Sequence, residues 1–184
     1  MKQTMFKTLV LSFLLVISFA IKAESKNKLY QIDLIVFKHE ASVNNANQLQ
    51  TTLSYLKNRR NLEEQSSSLS PYHLLPFSFT HLKEEFWALR RKPQYQVLLN
   101  YSWLQPVTNN VAVYLPKTEK EGWYLEGNIK VQQQNYYSLS SELLISKPDG
   151  SSFIFKEQQR LKGGQIYYFD NPEVGMLIKV HQIA

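Results

Sequence analysis

The closing segment of the chain, Gly163–Gly175, combines residue types that could bind a carbohydrate. Three consecutive aromatic residues, Tyr167, Tyr168 and Phe169, lie between polar side chains and residues that favour turns. Aromatic side chains pack against the C–H faces of sugar rings, while amide and carboxylate groups hydrogen-bond to hydroxyl and N-acetyl groups. The segment is therefore predicted to be either a contact surface or a lid over the core.

Residues outside this segment offer similar chemistry. Trp103 lies close to Gln105, and Arg160 lies three residues before the closing segment. The guanidinium group of an arginine can bind a carboxylate through two parallel hydrogen bonds. The candidate ligand-binding residues are Arg160, Gln165, Tyr167, Tyr168, Asp170, Asn171, Trp103 and Gln105.

Each of these residues also has a structural alternative. The aromatic side chains could fill the core of a small β-rich domain. Asp170 could cap a turn, or it could accept a hydrogen bond from Arg160 that holds the segment in place. The residues alone leave both alternatives open.

The titratable residues do not form a catalytic pattern. The histidines match no zinc motif such as HExxH, and they are scattered: His39, His73, His81 and His181. No serine lies in a Gly-x-Ser-x-Gly motif. Adjacent acidic residues such as Glu84-Glu85 diverge on a predicted helix, whereas a glycosidase needs two converging carboxylates. The sequence therefore predicts no enzyme activity, no metal site and no cofactor.

Composition excludes several kinds of functional site and binding partner. The chain has no cysteine, which excludes disulfides, thiolate nucleophiles and cysteine metal sites. Its formal charge is +6, without a block of like charge. Such a mildly basic chain is compatible with an anionic surface but does not favour a nucleic-acid partner.

Met1–Ala23 has the pattern of a secretory signal peptide. Two lysines precede an apolar run from Leu9 to Ile21, and Ala23 supplies a small residue near the expected cleavage point. An uncleaved anchor is the alternative, although the run is short for a membrane span. We expect residues 24–184 to form one exported domain with no transmembrane segment, and no lipid anchor because that route needs a cysteine.

The first half of this expected domain contains one strand and two helices. Tyr30–Phe37 alternates and then becomes apolar on both faces, which predicts a central strand. Leucines at helical spacing predict a helix over Ala46–Leu62. A second helix is predicted between Thr80, which could cap it, and Pro93, which would end it.

The second half is predicted to be a series of strands. Lys147–Gly150 is a strong turn signal, and Gly127 marks a bulge or a close approach of two backbones. The predicted strands are Tyr95–Trp103, Val111–Leu115, Leu125–Val131, Tyr137–Ile145, Phe153–Phe155 and Met176–Ile183. The expected fold is α+β: a mostly antiparallel sheet of about six or seven strands, with two helices between the first and second strands packed on one face.

Four segments resemble the CsiV-type peptidoglycan-binding proteins of the Gram-negative periplasm. Together they extend over nearly the whole exported chain, and the last is the most distinctive. The segments are Tyr30–Lys38; Tyr95–Leu99 followed by Trp103–Pro106; Gly127–Val131 with Tyr136–Leu139; and Arg160–Gly175.

The resemblance implies a non-catalytic periplasmic protein that binds peptidoglycan and assists a penicillin-binding cell-wall synthase through its lipoprotein activator. Arg160 would then pair with a carboxylate of the peptide stem. Where the family pattern favours Glu or His, this chain has Gln165, Tyr167, Asn171 and Asn100. Binding by shape, stacking and neutral hydrogen bonds is therefore expected. The alternative is a scaffold module that binds a periplasmic protein and contacts no glycan.

Overall fold

The computed structural model describes residues 28–39, 52–53, 59–64, 70–106, 110–133 and 135–183. These residues form two β-sheets packed face to face and one α-helix. The predicted α+β fold, with two helices covering a single sheet, is therefore wrong. The apolar face of each sheet is covered by the other sheet.

The first sheet has four antiparallel strands in the order β3-β1-β9-β8. Their bounds are β1 Leu29–Lys38, β3 Gln96–Pro106, β8 Ile166–Asp170 and β9 Val174–Gln182. Strand β1 has a neighbour on each side, which confirms the predicted central strand. Its residues are buried on both faces because the second sheet covers one face and the helix covers part of the other.

The second sheet has five strands in the order β2-β4-β5-β6-β7. Their bounds are β2 Arg59–Asn61, β4 Ala112–Lys120, β5 Trp123–Gln133, β6 Tyr137–Ser146 and β7 Ser152–Leu161. All neighbours are antiparallel except β2 and β4. The predicted turn joins β6 to β7, where the Gly150 N–H donates to the Lys147 carbonyl oxygen at 3.0 Å.

The main core lies between the two sheets. Alternate residues point into it, including the fully buried Ile32 and Leu34 of β1, and Ile129 and Leu143 of the second sheet. Complete burial of such a side chain contributes about 1.5–3 kcal/mol to folding. The alternation that predicted β5 and β6 therefore also determined which of their residues face the core.

Gly127 confirms the predicted close approach of two backbones. A Cβ atom at this position would lie 2.2 Å from the carbonyl oxygen of Glu142, which belongs to the adjacent strand β6. Any residue larger than glycine would therefore push β5 away from β6.

Helix α1, Lys83–Arg90, packs on the outer face of the four-stranded sheet and confirms the second predicted helix. It follows a 3₁₀ turn at Phe77–Phe79. A small apolar cluster joins helix and sheet: Ile35, Phe37, Leu82 and Val97 are buried in it, with Phe86, Leu89, Tyr95 and Leu177 packed against them. The Thr80 hydroxyl accepts a hydrogen bond from the Leu82 N–H at 3.2 Å, just before the helix begins.

The first predicted helix is not observed where the structure can test it. Arg59–Asn61, near its expected end, forms strand β2 and pairs in parallel with β4. Most of Ala46–Leu62 lies outside the described residues. Within the residues that the structure describes, no helix has the length and apolar character needed to cross a membrane.

Candidate functional site

A polar groove crosses the outer face of the five-stranded sheet. The strand register places Gln132, Ser138 and Arg160 side by side on β5, β6 and β7. A second row, directly beside the first, consists of Lys130, Ser140 and Gln158. These six residues, together with Leu139 and Gln159, line a depression of about 650 Å³.

The alternation of strand residues explains why the groove is polar. Val131 and Leu139 occupy the intervening positions of β5 and β6 and are buried in the main core. Because successive side chains point to opposite faces of a sheet, the residues on either side of them point outward. The same alternation that stabilises the sandwich therefore places amide, hydroxyl and cationic groups on one open surface.

The groove is positively charged at both rows. Lys130 and Arg160 contribute cationic groups, and among the described residues that line it none is acidic. The guanidinium carbon of Arg160 lies 4.4 Å from the centre of the Tyr136 ring. Gln132 Nε2 donates to Asn110 Oδ1 at 2.9 Å. These contacts orient two of the groove's hydrogen-bonding side chains before any ligand arrives.

The closing segment is an edge strand with turns at both ends. Tyr167 and Phe169 point inward and pack against the main core, whereas Tyr168 points outward and is 54% exposed. The Tyr168 ring stacks on Phe37, with the ring centres 6.2 Å apart. Gly175 makes this pair possible, since a Cβ atom there would lie 2.5 Å from Phe37 and 2.8 Å from Tyr168.

Asp170 contacts Tyr168 of its own strand and His39, which directly follows β1. Its Oδ1 accepts a hydrogen bond from the Tyr168 hydroxyl at 2.6 Å and lies 3.1 Å from His39 Nε2. Burial, together with the hydrogen bond and charge of Asp170, raises the pKa of Tyr168 above its ordinary value. Arg160 lies in the other sheet, over Tyr136, and within the described part of the chain the alternative Arg160–Asp170 bond is not observed.

Three further candidates shape the turns of the closing segment. The Tyr167 hydroxyl accepts a hydrogen bond from the Lys162 N–H at 2.7 Å and donates to Gln165 Oε1 at 3.3 Å. Asn171 Oδ1 accepts from the Glu173 N–H at 3.4 Å, and the Asn171 N–H donates to the Val174 carbonyl at 3.0 Å. Gln165 remains exposed, but its contacts support the turn between β7 and β8.

The last two candidates lie inside the protein. Trp103 is fully buried and Gln105 is 1% exposed. Trp103 Nε1 donates to Gln105 Oε1 at 2.8 Å, which satisfies the indole N–H in the interior. A glycan cannot reach either side chain, so we leave both out of the proposed site.

Of the eight candidates, Arg160 is the one that lines the groove in the described part of the chain. Sequence reasoning missed Lys130, Gln132, Ser138, Ser140 and Gln158. Their signal was partly present, because Lys130, Gln132, Ser138 and Ser140 are polar alternate residues of amphipathic segments. Gln158, in contrast, lies in the wholly polar run 156–160, which shows no alternation. Only the strand register, however, shows that these residues form two straight rows.

The fold and the groove define a mostly β protein with an open, polar and cationic surface on one sheet. The sequence model of a family described as "Peptidoglycan-binding protein, CsiV" matches residues 7–183. The chain therefore belongs to the CsiV family of peptidoglycan-binding proteins. No curated protein and no solved structure gives a match.

Proposed function

We propose that this protein binds peptidoglycan noncovalently through the groove on the five-stranded sheet. The observation that carries the proposal is the pair of cross-strand rows, which concentrates six outward polar side chains on one concave surface. Peptidoglycan offers hydroxyl and N-acetyl groups on its glycan strand and carboxylates on its peptide stem. The groove offers a matching hydrogen-bonding group for each of these.

The two cations have different roles in this proposal. Arg160, held over Tyr136, presents a planar donor that can bind a stem carboxylate bidentately. Lys130 adds a mobile point charge in the neighbouring row. The glutamines and serines serve the neutral groups of the sugar, in keeping with binding by neutral hydrogen bonds.

Binding without cleavage is part of the proposal. Glycoside hydrolysis uses two carboxyl groups facing each other across the scissile bond. The described lining of the groove contains amides, hydroxyls and cations but no carboxylate to act as a general acid or nucleophile. A zymogram with embedded peptidoglycan tests this point, and a zone of clearing would contradict it.

The N-terminal pattern and the family support a proposal about the cellular setting. We propose that Met1–Ala23 directs export and is cleaved near Ala23, and that residues 24–184 act in the periplasm as a single domain. There the protein would assist a penicillin-binding cell-wall synthase through its lipoprotein activator. Binding to the wall would keep the protein close to that machinery.

A sacculus pull-down at low ionic strength tests the groove, and Arg160→Gln is the deciding variant. A lost charge-assisted hydrogen bond costs about 1.5–3 kcal/mol, so sacculus affinity should fall about tenfold or more. The matched control is Lys117→Gln, because Lys117 also lies over a tyrosine of this sheet, 4.9 Å from the centre of Tyr124, but outside the groove.

Two results would contradict the proposal. The wild-type protein could remain in the supernatant, which would exclude direct binding to sacculi. Alternatively, Arg160→Gln and Lys117→Gln could reduce binding equally, which would show that only the overall charge matters.

Protein docking is a second candidate function, and an exposed aromatic cluster favours it. Phe77 and Trp87 are 40% and 46% exposed. Their rings contact each other and the ring of Phe86, with no more than 6.1 Å between the ring centres of any pair. Arg90 lies over Phe86 and Trp87. Aromatic and arginine side chains dominate the binding energy of many protein interfaces.

The cluster lies on the four-stranded sheet, away from the groove, so the two functions can be separated. If the protein acts only by docking, Trp87→Ala should abolish its support of wall synthesis while Arg160→Gln leaves that support intact. The opposite pattern would favour the groove.

A further inference from the structure

Asp33, His81 and His181 meet on the outer face of the four-stranded sheet. Asp33 lies on β1 and His181 on the neighbouring β9, while His81 lies in the segment before α1. One ligand atom from each residue lies within 4.8 Å of the other two. Residues that are far apart in the sequence therefore form a compact group of metal-ligating types.

The carboxylate of Asp33 is fully buried, and its two oxygens have different surroundings. Oδ1 accepts hydrogen bonds from Gln31 Nε2 at 2.8 Å and Ser102 Oγ at 2.6 Å. Oδ2 has no hydrogen-bond partner among the described residues. An oxygen of this kind, left unpaired in the interior, is costly, so its environment indicates an additional ligand.

Two imidazole nitrogens lie close to Asp33 Oδ2. His81 Nδ1 lies 3.4 Å away and His181 Nδ1 lies 3.8 Å away. Both distances exceed those of a good hydrogen bond. His181 Nδ1 is itself buried and has no hydrogen-bond partner within the described part of the chain.

The three ligand atoms are spaced close to the edges of a metal coordination tetrahedron, all within 4.8 Å of one another. Zn²⁺ binds imidazole nitrogen and carboxylate oxygen at about 2.0–2.2 Å, which places neighbouring ligand atoms roughly 3.4 Å apart. The two edges that start at Asp33 Oδ2 measure 3.4 and 3.8 Å. Small side-chain movements would therefore complete three corners of the tetrahedron, and water could occupy the fourth.

The hydrogen bonds of Gln31 support the same assignment. Its amide nitrogen has two hydrogens but three acceptors in reach: the Phe79 carbonyl at 2.7 Å, Asp33 Oδ1 at 2.8 Å and His81 Nδ1 at 3.1 Å. If His81 Nδ1 binds a cation, the other two acceptors use both hydrogens. Gln31 and Ser102 would then act as the outer partners that orient a metal-binding carboxylate.

An ion can reach this group from solvent. The side chain of His81 is 47% exposed. It also lines an open cleft with Glu84, Ile166 and Lys179, among others. The buried Asp33 thus provides the charge, while His81 provides the entry path that a reversible metal site needs.

We infer that Asp33, His81 and His181 form a binding site for a divalent transition metal, with Zn²⁺ as the best match. Neutral imidazole and carboxylate are the ligands that Zn²⁺ accepts in proteins. The bound ion would tie the segment before α1 to strands β1 and β9. The site lies on the sheet opposite the groove, so this inference does not depend on glycan binding.

Zn²⁺ titration of purified, untagged protein, treated with a chelator and then dialysed, tests the inference by calorimetry. We expect one equivalent of Zn²⁺ to bind and the melting temperature to rise. Loss of a residue that only hydrogen-bonds to a metal ligand weakens metal affinity by about 10–100-fold. His81→Gln removes a ligand itself and should therefore weaken the Zn²⁺ affinity by more than this. Co²⁺ provides a second readout through the visible absorption of a tetrahedral complex.

His73→Gln is the matched control, since His73 pairs with Glu63 outside this group. His81 is the deciding position because its exposed side chain can be replaced without disturbing the buried Asp33; circular dichroism verifies folding. Failure of the wild-type protein to bind Zn²⁺, or equal affinity in His81→Gln, would overturn the inference. The three residues would then be a buried carboxylate flanked by histidines and nothing more.

Discussion

In the closing segment, aromatic and glycine residues pack against Phe37 and the main core, whereas in the groove, polar residues of three strands point into open space. Tyr168 stacks on Phe37 over Gly175, and Asp170 binds Tyr168 and His39. The groove residues line an open depression. A distinctive sequence motif can thus reflect the requirements of packing and turn formation. A binding surface, in contrast, can consist of common residues that the strand register brings together.

The largest expected effect concerns Trp103, a candidate ligand residue that is buried. Trp103→Ala should lower the free energy of unfolding by about 3–5 kcal/mol, because it leaves a cavity in the main core. Denaturant unfolding measures this change. The exposed Trp87→Ala is the control and should cost much less. Loss of sacculus binding by folded Trp103→Ala protein would contradict the assignment of binding to the groove alone, because it would give a buried residue a role in binding.

A smaller loss of stability is expected from Gly175→Ala. The added methyl group would overlap the Phe37 and Tyr168 rings, and such overpacking costs about 1–3 kcal/mol. Combining it with Phe37→Leu should cost less than the sum of the two single changes, because the smaller side chain relieves the overlap. Additive losses in thermal or chemical unfolding would show that the ring pair does not require this glycine.

The smallest effect is expected from Tyr168→Phe, which removes the hydrogen bond to Asp170. The loss should be about 0.5–1.5 kcal/mol near neutral pH. Because the folded-state pKa of Tyr168 is raised, its contribution is complete below the ordinary tyrosine pKa and is lost as the pH rises through the raised value.

Unfolding measured from neutral to alkaline pH tests this dependence. The stability advantage of the wild-type protein over Tyr168→Phe should shrink as the pH rises above about 10. A constant difference would contradict the role of this hydroxyl. In all three experiments, retained sacculus binding would keep the closing segment and the groove functionally distinct.

The individual strands were largely predictable from the sequence, and their arrangement was not. Alternating residues predicted β1, β3, β5 and β6, because a half-buried strand shows that pattern directly. Short apolar runs predicted β4, β7 and β9. Strand β8 was expected to be part of a loop, since three successive aromatic residues hide the alternation that points Tyr168 outward. The number of sheets depends on which strands pair, and no short segment contains that information.

The candidate site shows the same limit. Arg160 was identified because its side chain is chemically distinctive, whereas Ser138 and Gln132 are ordinary until the register places them beside it. Conversely, Trp103 and Gln105 had suitable chemistry, but their burial became visible only in the folded chain. The grouping of Asp33 with His81 and His181 was invisible for the same reason.

The sequence by itself determined where most strands form, where the second helix ends and which turns need glycine, because backbone preference and alternating burial are local properties. It also determined the family, through segments spread along the chain. The tertiary structure alone decided that two sheets cover each other, that the closing segment forms the edge strand of one sheet, and that a polar groove opens on the other sheet. Those outcomes depend on contacts between residues distant in the chain, and only folding brings such residues together.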